Sequence, residues 1–162
     1  MKVLYLINSK EYSYHKGMIN DFTACISGDV IDMSCGEYLH EIYYDIEEKS
    51  PDVIITFDLA GFELRTASDT LSLNRIYARM AHIIFSKKCL SDRSLKERQN
   101  LSMFTYIPNG YNIAEVMNKC PEVPNVFEFV KVSYKADTEP EHEENKVNIE
   151  KWWETFKREA ML

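Results

Sequence analysis

The chain has 162 residues, 45% of them hydrophobic and 28% charged, which is the usage of one ordinary globular domain with a single core. Nineteen Lys and Arg stand against 26 Asp and Glu, and the formal charge of −7 argues against a sequence-independent nucleic-acid binder and against anionic membranes. No run approaches the roughly 18 apolar residues of a membrane span, and "MKVLYLINSK" lacks the apolar length and cleavage pattern of a signal peptide. The expected location is the cytoplasm. Cys25, Cys35, Cys89 and Cys120 show no CxxC spacing and read as free thiols, with a Cys25–Cys35 bridge as the alternative.

"KVLYLIN" is a short continuous apolar run, the pattern of a strand buried on both faces. A polar, Tyr-rich connection follows. Met18, Ile19, Phe22, Cys25 and Ile26 recur at helical spacing and predict a helix over 14–27, with Gly28 as its C′ residue. "DVIDMS" is a weaker strand. Leu39, Ile42, Tyr43 and Ile46 mark an amphipathic helix that Ser50-Pro51 stops. "DVIITF" is rich in β-branched residues and reads as the clearest strand.

After the polar stretch "DLAGFELRTASDT", the run "LSLNRIYARM" carries Leu73, Ile76, Tyr77 and Met80 on one helical stripe. "AHIIFS" is the fourth strand, "DRSLKERQN" a short helix and "LSMFTYIP" the fifth strand. "NIAEVMNKC" is a short helix capped by Asn112 with Glu115. "VFEFVKVSY" is read as an edge strand. The acidic run "KADTEPEHEENKVNIE" reads as a solvated linker, and the run Glu141-His142-Glu143-Glu144 within it as solvated rather than metal-binding. Ile149, Trp152, Trp153, Phe156 and Ala160 then share one face of a terminal helix.

This alternation predicts an α/β fold: a single-domain three-layer α/β/α sandwich, Rossmann-like or flavodoxin-like. Its mostly parallel sheet would hold about five strands in order 2-1-3-4-5, with an added edge strand and a C-terminal amphipathic helix. The expected division is residues 1–134 as the α/β domain, 135–146 as an acidic linker and 147–162 as a helix. That helix would dock on the domain itself or, through its aromatic face, on a partner subunit in a homodimer.

In such sheets ligands bind beyond the carboxyl ends of the strands, where the strand order reverses. The loops after strands 1 and 3 therefore supply the candidates. Asp58 would bind a ligand hydroxyl or cap its own loop. Glu63 would pair with Arg65 on the surface, or Arg65 would fork around a phosphate. Gly61 is a turn or a point of close approach. Ser68 or Asp69 caps the next helix, Asn74 sits near its start, and Arg79 lies on a face beside its stripe. His15 is a general acid–base or phosphate candidate, with an exposed histidine as the plain alternative. Asn8 and Ser9 lie in the same loop, and Tyr12 and Tyr14 would stack on a base. Ser86 and Asn109 follow strands 4 and 5. His82, placed at the amino end of its strand, is discounted.

No GxGxxG, Walker A, GxSxG or HExxH motif occurs. In outline the opening strand and "SPDVIITFD" resemble the first α/β half of two-domain glycosyltransferases, over roughly residues 1–110. The resemblance covers architecture alone, without a family motif and without a second domain for a nucleotide sugar.

The functional expectation is a domain that binds a small anionic ligand, a nucleotide or nucleotide-derived molecule, with no cofactor and no metal. Asp58 and Glu63 would take hydroxyls or amines, and Arg65 and Arg79 would take phosphate. One alternative is a small transferase or hydrolase using Asp58, Glu63 and His15. The other is an interaction module acting through Trp152, Trp153 and Phe156.

Overall fold

The computed structural model describes residues 1–34, 39–58, 78–86, 103–107, 114–115, 118, 125–129 and 131–162. Six strands are described: β1 (Val3–Ile7), β2 (Asp29–Asp32), β3 (Val53–Phe57), β4 (Arg79–Ile83), β5 (Met103–Ile107) and β6 (Val126–Glu128). They form one sheet in order β2-β1-β3-β4-β5-β6, and every pairing is parallel. Among the described residues, three helices have full ranges: α1 (His15–Cys25), α2 (Leu39–Lys49) and α3 (Glu139–Glu159). The expected α/β sandwich and its 2-1-3-4-5 order are therefore present, with β6 as a parallel edge strand.

Central parallel strands are apolar on both sides because helices cover both sides. Val3, Tyr5 and Ile7 of β1 join Met18 and Phe22 of α1 and Trp152 and Phe156 of α3 in one core. Leu4 and Leu6 join Ile42 and Ile46 of α2 in the other. Tyr5 can lie in the first core because its hydroxyl donates to the Ile26 carbonyl at 2.6 Å.

Gly28 differs from its expected role. α1 ends on Ile26 in an extended conformation, with no left-handed cap. Gly28 is required instead by close approach, because a Cβ there would stand 2.5 Å from the Val3 carbonyl oxygen. The left-handed cap appears on α2, where Ser50 at φ 47° donates its N–H to Ile46 and Glu47.

β4 begins at Arg79, two residues ahead of the expected strand, so Arg79 and Met80 do not belong to a helix. They pair with Val53 and Ile54, and Met80 packs into the α2-side core. Ile76 and Met80 are four apart, and that spacing alone did not separate a helical stripe from a residue already in the strand. His82 lies mid-strand and buried, in register with Thr56 and Thr105, not at an amino end.

The acidic run is helical from Glu139. Thr138 and Glu141 form a reciprocal capping box, and Pro140 occupies an early position where its missing N–H is not needed. α3 buries Ile149, Trp152, Phe156 and Ala160 against the chain's own sheet. Its far end meets Arg79, whose Nε donates to the Ala160 carbonyl at 3.3 Å. Among the described residues, no helix is long and apolar enough to cross a membrane.

Candidate functional site

The carboxyl ends of β1 and β3 meet where the strand order reverses, and two carboxylates mark that edge. Asp58 follows β3 with φ 49°, a left-handed conformation that Asp tolerates better than most side chains. Its N–H still reaches the Ile83 carbonyl at 2.9 Å, so the backbone turns while remaining tied to β4. The side chain is 1% exposed. Oδ1 accepts the N–H groups of Phe85 and Ser86, both at 2.7 Å. Oδ2 accepts the Tyr14 hydroxyl at 2.6 Å and faces His15 Nε2 at 3.0 Å.

His15 has no exposed surface. Its Nδ1 receives the Asn8 backbone N–H at 3.1 Å. A backbone N–H only donates, so Nδ1 presents its lone pair and the ring proton sits on Nε2, aimed at Asp58. Asn8 also binds its own loop, accepting the Glu11 N–H on Oδ1 and the Tyr12 N–H on its carbonyl. Tyr12 is buried and stacks on His15 with centroids 4.9 Å apart. The Tyr14 ring lies 4.9 Å from Tyr134. Asn8, Tyr12, Tyr14, His15, Asp58 and Ser86 thus come together, as a network that fastens three loops.

The second carboxylate is Asp32, at the end of β2, which the sequence did not single out. It is half-buried. Oδ1 accepts the Ser9 N–H at 3.2 Å, the Ser34 N–H at 3.1 Å and the Ser34 hydroxyl at 2.7 Å. Oδ2 accepts the Ser9 hydroxyl, and the two serine oxygens lie 3.2 Å apart. Burial alone would raise the Asp32 carboxyl, but the bonds from Ser9 and Ser34 outweigh it and bring it down to about 2. Each serine has spent its one proton on Asp32. The lone pairs remain, so this half-buried cluster can act only as an acceptor.

The third feature is the start of α1. Helix geometry leaves its first N–H groups without intrahelical acceptors; the Tyr12 carbonyl takes that of His15 at 3.0 Å, and no side chain caps the turn. The first turn holds no acid, and Gly17 leaves open space where a Cβ would stand. Lys10, ahead of this turn, and Lys16, within it, are exposed.

Two candidates stand differently from their expected places. Arg79 starts β4 at the amino edge of the sheet and cannot reach a ligand at the carboxyl edge. His142, read as part of a solvated acidic run, is half-buried and pairs with buried Asp21 of α1 at 2.9 Å, while Glu141, Glu143 and Glu144 are exposed. Gly61, Glu63, Arg65, Asn74 and Asn109 lie outside the described residues, as do Ser68, Asp69 and Asn112. Among the described residues, no group of three or more His, Cys, Asp or Glu side chains is placed to hold a metal ion.

Sequence reasoning missed Asp32, Ser34, Phe85 and Tyr134. Asp32 carried the same signal as Asp58, an acid at the end of an apolar strand. Phe85 acts through its backbone, which leaves no trace in residue type. No protein-family model, no curated protein and no solved structure matches the chain.

Proposed function

We propose that the protein binds a small anionic ligand, a nucleotide or nucleotide-derived molecule, along the carboxyl edge of the sheet over the loop from β1 to α1. The supporting observation is that this loop joins two surfaces of opposite hydrogen-bonding sense. At one end the uncapped, acid-free first turn of α1 offers N–H donors beside Lys16. At the other, the hydroxyls of Ser9 and Ser34, held by Asp32, offer acceptors. A phosphate suits the first surface and sugar hydroxyls suit the second. In this reading Arg65 and Asn74 keep the anion-binding roles expected from the sequence, and Arg79 has none.

Asp58 and His15 serve this reading by holding the loops. A general base needs a free lone pair and access to its substrate. Asp58 already accepts from four donors, and His15 has a hydrogen-bonding partner on each nitrogen. No observation favours a transferase or hydrolase built on them.

Isothermal titration and thermal-shift measurements with nucleoside mono- and diphosphates, nucleotide sugars and their 2′-deoxy analogues test the proposal. The expected result is saturable binding of at least one ribonucleotide, weaker for its 2′-deoxy form. Absence of heat and of thermal shift across the whole panel overturns it.

A further inference from the structure

Residues 131–137 connect β6 to α3, and α3 holds them. The Ser133 N–H donates to Asn145 Oδ1 at 2.8 Å, and Asn145 Nδ2 donates back to the Ser133 carbonyl at 2.9 Å. Three residues along the helix, Asn148 Nδ2 donates to the Lys131 carbonyl at 2.6 Å. Among the described residues, the segment's one backbone–backbone hydrogen bond is internal, from Ala136 N–H to the Ser133 carbonyl at 3.4 Å.

The tip of this segment lies over the candidate site. Tyr134 is 39% exposed, yet its ring packs 4.9 Å from Tyr14 and 6.3 Å from Phe85. Those two residues supply donors to Asp58. What moves Tyr134 therefore uncovers the network beneath it.

The same asparagine ties the segment to α1. Asn145 is buried, and its amide also donates to Asp21 Oδ2 at 3.1 Å. Asp21 is 4% exposed, and both of its oxygens face His142 Nδ1, at 3.0 and 2.9 Å. The groups acting on the His142 proton are Asp21 on α1 and, on α3 itself, Glu139 and Lys146. Asp21, chiefly through its hydrogen bond, and Glu139 raise the imidazole's proton affinity, whereas partial desolvation and Lys146 oppose this. A buried carboxylate facing a cation holds more strongly than one facing a neutral ring.

We propose that residues 131–137 are a lid over the loop from β1 to α1, latched by Asn145 and set by the charge on His142. With His142 protonated, Asp21 holds α3 and its lid against α1. When the proton leaves, only the neutral hydrogen bond remains and the lid loosens. The folded protein raises the affinity of His142 for its proton. Its contribution is therefore complete below the unfolded value of about 6.5 and declines as pH rises through the folded value. The inference stands without the ligand reading, because the latch is read in the protein alone.

Hydrogen exchange followed by mass spectrometry at pH 6 and pH 8, corrected for intrinsic rates, tests it on the full chain. The expected result is a several-fold loss of protection in residues 131–137 at the higher pH, while amides 149–156 of α3 stay protected. His142→Gln should remove the pH dependence. Asn145→Ala should abolish protection of the Ser133 amide at both pH values. Should Asn145→Ala not fold, Asn148→Ala, at a half-buried position, is expected to loosen the lid partway with α3 intact. Protection that is independent of pH in the parent chain overturns the proposal. So does pH dependence that persists in His142→Gln, or loss of α3 protection together with the lid.

Discussion

Asp58 and Asp32 both end strands at the same edge of one sheet, and each accepts four hydrogen bonds. They differ in where those bonds come from. Asp58 is sealed, and its donors come from three other segments: the loop before α1, α1 itself and the end of β4. Asp32 is half-buried, and its donors are two serines whose hydroxyls still present lone pairs. Neither carboxylate has acceptor sites left for a ligand, but the serine hydroxyls around the second still do. An acid at the end of an apolar strand is thus a signal of position, and the unspent hydrogen-bonding capacity around it decides between scaffold and site.

The largest expected effect is at Asp58. Asp58→Asn turns two donors towards the N–H and O–H groups that the carboxylate accepts. Leaving buried donors unpaired at a broken charged network costs about 3–5 kcal/mol. Urea denaturation measures this, and a loss under about 1 kcal/mol would show that the donors find other partners. Tyr14→Phe removes one donor and keeps the ring that Tyr134 covers. It should cost about 1.5 kcal/mol, the contribution of a hydrogen bond to a charged group, with the ring contact retained. A larger loss would mean that the hydroxyl also orders the loop.

Asp32→Asn should hardly change stability at neutral pH, by less than about 1 kcal/mol, because solvent screens a half-exposed group. That small difference should vanish in acid, where the parent chain loses the same contribution. The folded carboxyl at about 2 is below its unfolded value near 3.9, so its stabilisation is present above about pH 4. That stabilisation is lost as pH falls through about 2. Acid unfolding followed by circular dichroism should show this increment in the parent chain and not in Asp32→Asn. The same substitution should weaken ribonucleotide binding about tenfold, because Asp32 accepts the protons of the Ser9 and Ser34 hydroxyls and so leaves their lone pairs to the ligand. Equal affinity in both proteins would take Asp32 out of the proposed site.

Much of the architecture was legible because apolar runs and 3–4 spacings record what helices and sheets must bury. β1 and β3 are continuous apolar runs, α2 carries Ile42 and Ile46 four apart, and α3 carries Trp152 and Phe156 four apart. The start of β4 was not legible, since Met80 fits a helical stripe and a strand equally. Nor was the start of α3, where the acids of a solvated linker also form the first turns of a capped helix.

The sequence by itself determined the layered α/β fold and the edge at which Asn8, Ser9, Tyr14, His15 and Asp58 gather, because burial is written in local patterning. Only the tertiary structure decided what those residues do. Hydrogen-bond partners 43 and 44 positions apart, such as His15 and Tyr14 with Asp58, carry no local signature. The contacts of Asp21 with His142 and Asn145 span 121 and 124 positions. Whether a polar atom is spent or free depends on those partners, and they meet only when the chain closes on itself.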